Sequence, residues 1–307
     1  MKDAPFVTVV VPTYNREKLL KNLLDSLLSQ SYPANKFEII IVDDGSKDGT
    51  REMVGIYQKG ANRNLKYFHQ QNKGPAAARN TGIRNSSGSL IVFTDDDCIA
   101  SSNWLQEMVK GYDNSNVAGV GGSIKAIATQ SIISEYCSYI GVMEKPLMQG
   151  DTVKYLVGAN SSFRKEHLDV AGWFNEAMPL GGEDLDISFR LEQAGYALKF
   201  NPEAVIYHLH KQTLRELLVT FFKYGKGSAI FYLQGAKKKS TVFYMYLKSL
   251  FPYARMPINF WRNYFKGRLG FKKSLIFSSL SLLRDISNAV GGFTGYLTFY
   301  IKIIFRG

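Results

Sequence analysis

Apolar residues in the first 210 positions come as short runs, separated by polar loops and by stretches with helical spacing. Residues 6–11 are apolar and β-branched and end at Pro12. A short unalternating run of this kind predicts a buried parallel strand. Thr13, Tyr14, Asn15 and Arg16 form a polar loop. Leu19, Leu20, Leu23, Leu24, Leu27 and Leu28 then recur at helical spacing and stop near Tyr32-Pro33. Residues 37–42, 65–69, 90–94 and 204–207 predict further strands, and 50–58, 75–85 and 187–193 predict helices. Gly74-Pro75 opens one of these helices, with proline at its favoured first position. This alternation predicts an α/β domain with a mostly parallel central sheet flanked by helices.

Beyond residue 210 the pattern changes. Residues 213–222 and 225–233 predict two helices, the first carrying a stripe of Leu214, Leu217, Leu218, Phe221 and Phe222. Lys223, Lys226 and Lys237-Lys238-Lys239 flank them. Residues 242–253 and 274–283 are further apolar, mainly helical runs. The longest apolar stretch, 286–305, has the roughly 20 residues of a membrane span. It is interrupted, however, by Ser287, Asn288, glycines and threonine at 291–294, and Lys302. The expectation is therefore helices lying in the membrane interface, with one or two spans or re-entrant hairpins, or a subdomain packed on the core, as alternatives.

Charge sharpens that boundary. The 307-residue chain has a net charge of +12. Residues 1–210 hold 21 lysines and arginines against 24 acids, a net of −3, while residues 211–307 hold 17 against two, Glu216 and Asp285, a net of +15. Those last 97 positions also hold 21 of the 41 aromatic residues. Two regions follow: 1–210 as a catalytic domain, and 211–307 as a basic, aromatic, helical region meeting an anionic surface. Lipid fits that surface better than nucleic acid, because the aromatics come in leucine-rich helical runs and no RNA- or DNA-binding motif is present. A 45% hydrophobic composition excludes a disordered chain. Cys98 and Cys137 alone cannot make a disulfide scaffold and suggest a reducing compartment or idle thiols. Asp3 and Pro5 ahead of a β-rich run do not read as a secretory signal.

In open α/β sheets, ligands bind beyond the carboxyl ends of the strands, and the polar clusters fall there. Asp95-Asp96-Asp97 follows an apolar strand. Three adjacent carboxylates repel, so they call for a cation, and a divalent Mg²⁺ or Mn²⁺ would supply it; a solvated acidic turn is the plainer reading. Asp43-Asp44-Gly45-Ser46 reads as a turn, or as an acid accepting a hydrogen bond from a base N–H. Gly74 to Asn80 places small residues at a helix start, which suits phosphate or simply tight packing. Gly181-Gly182-Glu183-Asp184 precedes a helix, so Asp184 is a helix cap or a general base for an alcohol. His208 and His210 follow a strand and are candidate metal ligands.

Taken together, the chain resembles the family 2 inverting glycosyltransferases, which have the GT-A fold. The resemblance rests on Val9-Val10-Val11-Pro12-Thr13-Tyr14-Asn15, Val42-Asp43-Asp44-Gly45-Ser46, Asn72-Lys73-Gly74 through Ala78-Arg79-Asn80, Asp95-Asp96-Asp97 and Gly182-Glu183-Asp184, in that order over roughly residues 5–210. It implies a nucleotide-sugar donor. Pro12, Thr13 and Tyr14 would line the nucleotide pocket with Lys73, Gly74 and Arg79, and Asp44 would contact the base. Asp95 or Asp96 would face ribose and diphosphate, and Asp97 would bind the metal with His208, His210 being a near competitor. Asp184 matches the family's catalytic base, with Gly182 and Glu183 in the acceptor loop. Residues 157–162 resemble the acceptor-side strand. Processive members carry a Gln-x-x-Arg-Trp motif after the base, and this chain has none. The resemblance therefore implies transfer of one sugar, to a lipid-linked or membrane-proximal acceptor at the cytoplasmic face.

Overall fold

A computed structural model describes residues 4–60, 64–141, 148–149, 152–178, 181–235, 256–266 and 269–304. The lysine triplet at 237–239 and the apolar run at 242–253 lie outside the described residues.

Backbone contacts divide the chain into two compact units. The first comprises Met1–Ile127, Gly141–Pro179 and Glu183–Leu209, and the second Ala128–Ile140, Leu180–Gly182 and His210–Gly307. The division falls at the composition break near 210, but the second unit also takes a helix and a glycine pair from earlier in the chain.

The first unit holds β1 (Val7–Thr13), β2 (Phe37–Asp43), β3 (Leu65–His69), β4 (Leu90–Thr94), β5 (Cys98–Ala100), β6 (Val117–Ala126), the short hairpin β7 (Met148–Gln149) and β8 (Thr152–Val153), β9 (Asn160–Arg164) and β10 (Ala197–His208). Its helices are α1 (Glu17–Leu28), α2 (Thr50–Lys59), α3 (Pro75–Arg84), α4 (Trp104–Lys110), α6 (Lys165–Ala171) and α7 (Glu183–Gln193), and α5 (Ile132–Ile140) belongs to the second unit. The main sheet has the order β3-β2-β1-β4-β9-β6-β10-β5. Strands β1 to β4 are mutually parallel, as the sequence predicts. Strand β9 runs antiparallel to both β4 and β6, and β5 antiparallel to β10, so the sheet is mixed. Strand β6 pairs in parallel with β10, so four of the seven strand pairings are parallel, and the mostly parallel expectation holds with β9 and β5 as the antiparallel exceptions.

The apolar strand runs follow from burial on both faces. Val7, Val9 and Val11 of β1 pack with Ile39 and Ile41 and with Leu20, Leu23, Leu24 and Leu27 of α1. Val10, between them, points the other way onto Ile40, Val42 and Ala76 and Ala78 of α3. Period-two strand geometry thus splits one valine run between two cores. Both cores end where β1, β2 and β4 end, and the polar clusters begin there.

The second unit is helical: α5, α8 (Leu214–Gly235), α9 (Met256–Trp261) leading into a π-turn at Arg262–Lys266, and α10 (Phe271–Ile304). Thr213 and Glu216 close a capping box at the start of α8: the Glu216 N–H donates to Thr213 Oγ1 (3.2 Å), and the Thr213 N–H donates to Glu216 Oε2 (3.0 Å). The two helices predicted across 213–233 are one. Gly225, the start of the second predicted helix, is where α8 meets α10: a Cβ there would overlap the Asn288 carbonyl, so close approach offsets the propensity cost of glycine. Likewise the runs at 274–283 and 286–305 join in the single 34-residue α10. No helix among the described residues is long and apolar enough to cross a membrane.

Candidate active site

Three strand ends of the first unit deliver its polar groups to one place. Thr13 closes β1, and its hydroxyl donates to Asp96 Oδ2 at 2.8 Å. Asp95, Asp96 and Asp97 follow β4 directly. The ladder between β5 and β10 sets His208 opposite Cys98, and the Leu209 N–H donates to the Asp97 carbonyl at 2.9 Å. His208 Nε2 therefore lies 3.2 Å from Asp97 Oδ1. Asp97, Cys98 and His208, all buried, offer ligand atoms within 4.8 Å of one another. Burial drives the Cys98 thiol well above its usual range, with Asp97 adding to the effect, so it stays protonated there. His210 falls in the second unit.

Arg16 is the residue that sequence reading left without a role. Its Nη1 donates to Asp96 Oδ1 at 3.0 Å and to Asp97 Oδ2 at 2.6 Å. Burial works against its charge, but Asp96 and Asp97 outweigh that and hold the guanidinium more firmly protonated than usual. Even so, burial pushes the Asp96 carboxyl up to about 7, against the pull of Arg16. The acidic cluster is thus short of positive charge. The only sequence signal for Arg16 was its place four residues past Pro12 in the first strand-end loop.

Arg79 is 4% exposed and joins the acidic cluster to the loop before α7. Its Nη2 donates to Asp95 Oδ1 (3.0 Å) and its Nη1 to Glu183 Oε1 (2.7 Å). Glu183 Oε2 is buried without a hydrogen-bond partner. Asp184 accepts only from backbone, with Oδ2 taking the Gly158 N–H at 3.3 Å and Oδ1 the Leu185 N–H at 2.9 Å. That is no N-cap arrangement, since α7 begins at Glu183, one residue earlier, and the bond is to the adjacent N–H. Asp184 keeps a partial opening to solvent. Burial raises the carboxyl of Asp184 and, with Asp184 alongside, that of Glu183, while Arg79 pulls both back.

Asp44 shapes the neighbouring loop. Its Oδ1 accepts from the Gln70 side chain (2.7 Å) and the Lys73 N–H (2.9 Å), and its Oδ2 from the Gly74 N–H (2.8 Å). An ionised carboxylate has about four acceptor positions, so one remains open. Gly74 adopts φ +91°, which L side chains rarely take, and this lets its N–H reach Asp44 just as α3 starts. Asn80 is buried and braces the following loop through the Phe174 backbone. Pro12 is half-buried, and Tyr14 and Lys73 are exposed beside this cluster. Gly182, at φ +92°, turns the chain into α7 and is grouped with the second unit.

The structure thus brings Thr13, Arg16, Asp96, Asp97 and His208 into one hydrogen-bonded or ion-paired network and Asp95, Arg79 and Glu183 into a second, the two meeting at the adjacent Asp95 and Asp96, with Asp184 next to Glu183. Comparisons with known proteins bear on the family and the fold. Residues 8–171 match the family described as Glycosyl transferase family 2, and residues 90–301 match Glycosyl transferase family group 2. Over 225 residues the chain is 31% identical to the Glycosyltransferase AglE of Haloferax volcanii, covering 73% of each. It is 30% identical over 230 residues to the Pre-mycofactocin glycosyltransferase of Mycobacterium tuberculosis, covering 73% of this chain but only 47% of that one. The fold is that of a mannosyltransferase from Pyrobaculum calidifontis solved with GDP-Man and Mn²⁺, at a TM-score of 0.67 and 19% identity, covering 94% of this chain and 87% of the other. A similar match, TM-score 0.64 and 17% identity, covers 81% of this chain and 51% of GalNAc-T7, solved with UDP, GalNAc and Mn²⁺. The chain belongs to glycosyl transferase family 2 and is a glycosyltransferase of the GT-A fold.

Proposed function

We propose that this enzyme moves one sugar from a nucleotide-sugar donor to a lipid-linked or membrane-proximal glycan acceptor, by a single displacement that inverts the anomeric centre. The observation that carries this reading is the placement of Asp184. It is held by two backbone N–H groups, raised by burial, and joined through Glu183 and Arg79 to the acids at the end of β4.

Asp97 and His208 would hold a divalent cation. A carboxylate beside an imidazole fits that group, and the imidazole favours Mn²⁺ over Mg²⁺. The raised Asp96 carboxyl, buried beside Asp95 and Asp97 with Arg16 as its guanidinium partner, supports a need for further positive charge there. When bound, the cation supplies charge neutralisation for a leaving diphosphate. The chain's own residues do the rest. Thr13 and Arg16 fix Asp96, the outer oxygen of Asp95 faces ribose, and the open acceptor position of Asp44 meets a base N–H. Tyr14, Pro12, Lys73 and Gly74 wall the nucleotide. Arg79 serves donor binding by holding Asp95 in place.

Asp184 takes the acceptor hydroxyl proton as that oxygen attacks the anomeric carbon. A carboxyl raised toward neutral pH is the better base for this, because its basicity comes closer to the task. One base with no protein nucleophile gives one displacement, hence inversion. The basic, aromatic second unit would bring the site to an anionic cytoplasmic membrane face. A thermal-shift panel of nucleotide sugars with and without Mn²⁺ tests the donor half. A donor at 100 times its Kd raises stability by about 2.7 kcal/mol. At least one donor should do so only with the cation, and a panel with no cation-dependent shift would count against the reading.

A further inference from the structure

The second unit carries an ordered aromatic cluster that the transfer reaction does not use. Phe260 stacks on Tyr264 with 6.1 Å between centroids and 3° between planes, and Trp261 on Phe265 at 5.3 Å and 12°. Phe271, at the start of α10, closes edge-on against Phe260 at 5.3 Å. Five rings from α9, the π-turn and α10 thus form one cluster. It is anchored from beneath: Asn263 is buried, its amide donates to Ser278 Oγ (3.2 Å), and it accepts from the Tyr139 hydroxyl of α5 (3.2 Å).

A rigid cluster of this kind would ordinarily be core. Here Trp261 is 54% exposed, Phe265 68% and Phe271 64%. The exposure continues along one side of α10 through Leu275, Leu283, Ile286, Val290, Leu297 and Ile301, positions that recur at helical spacing. Arg262, Lys266 and Lys272 lie among the rings in sequence, Lys273 pairs with Glu135 of α5, and residues 256–304 hold seven basic residues against the single acid Asp285.

We propose that this five-ring cluster is where the protein enters an anionic lipid bilayer, the rings lying at headgroup depth and the surrounding cations on lipid phosphates. Charge complementarity chooses the occupant. A second copy would set two faces of the same strong positive charge together, which repels, whereas anionic headgroups neutralise them. Tryptophan and tyrosine with lysine and arginine at their flanks are the composition of an interfacial anchor, one end apolar and the other wet. Prior ordering of the rings lowers the entropy lost on insertion. The proposal rests on the membrane reading above and adds its location and lipid chemistry.

Tryptophan fluorescence of the full chain tests it. In a Trp173→Phe background the remaining indoles are the fully buried Trp104 and the exposed Trp261. Vesicles of phosphatidylcholine with phosphatidylglycerol should shift the emission to the blue, and brominated acyl chains should quench it. Pure phosphatidylcholine vesicles should do neither. Phe265→Ser with Phe271→Ser should weaken vesicle binding on the order of tenfold or more, with the unfolding midpoint and donor turnover in water kept. Vesicle binding with Trp261 unquenched and the double variant unimpaired overturns the proposed location while leaving membrane attachment standing. No binding to any vesicle overturns both. A shift from dimer to monomer in the double variant would assign the face to self-association instead, and would also overturn the proposal.

Discussion

The two units handle charge in opposite ways. In the first, acids are drawn inside: Asp96, Asp97 and Glu183 are buried, and each has an arginine at hydrogen-bond distance. In the second, cations stay outside and aromatic rings join them at the surface. Burying acids beside too few cations raises their proton affinity and prepares them for a cation or a proton. Leaving cations and rings exposed instead prepares a surface for an anionic, partly apolar partner. The first unit holds the buried acids of the candidate active site, and the second holds the exposed rings and cations on which the membrane proposal rests.

The contrast can be broken first at Asp184. Asp184→Asn keeps the side-chain shape but can accept only one of the two backbone N–H bonds, and it loses the base, so turnover should fall by about 10²–10⁴-fold while nucleotide affinity stays near wild type. Steady-state rates beside calorimetry decide it, and near-normal turnover would mean that the base lies elsewhere. Next is Asp97→Ala. Removing a proposed ligand should weaken Mn²⁺-dependent nucleotide binding by at least the roughly 10–100-fold that a supporting residue commands. Unchanged affinity in calorimetry with Mn²⁺ present would contradict its role.

Salt separates the units. The screening length drops from about 10 Å at 0.1 M to about 3 Å at 1 M. Vesicle co-sedimentation should therefore collapse over that range, while donor turnover in water, carried by buried groups, changes far less. Equal losses in both would erase the distinction. A finer test lies in the pH profile. Asp184 works only when ionised and its carboxyl is raised, so the acid limb of turnover should lie above the ordinary aspartate value near 3.9. Arg79→Met removes the charge that favours ionisation, so the limb should move further up. A limb left in place, with the rate merely reduced, would make Arg79 a purely structural strut. The smallest effect is expected at Arg16. Arg16→Gln should lower the unfolding midpoint without metal, and Mn²⁺ should restore more of it than it adds to the wild type. An equal metal increment in both proteins would show that Arg16 and the cation do not share one site.

The strands and their polar ends were legible because local chemistry decides them. The valine and isoleucine runs of β1, β2 and β4 are buried on both faces wherever the helices fall, and the one acid within them before the strand ends, Glu38, is paired with Thr8 and Lys66. What joins the clusters was not legible. Asp97 meets His208 through the β5–β10 ladder, and no periodicity within either segment specifies a pairing across more than a hundred residues. The antiparallel insertion of β9 is of the same kind. Arg79 was readable as a basic residue at a helix start, but its burial between Asp95 and Glu183 is a tertiary fact. In the second unit, the sequence pattern divides 213–222 from 225–233, while in the fold they are one helix that approaches α10 closely at Gly225.

Release of nucleoside diphosphate from a panel of nucleotide sugars, followed in water with and without Mn²⁺, bears most directly on the assignment of chemistry to the first unit. The account predicts that at least one donor is turned over, that turnover requires the cation, and that Asp184→Asn abolishes most of it. Cation-independent release, or release by Asp184→Asn at the wild-type rate, would contradict it.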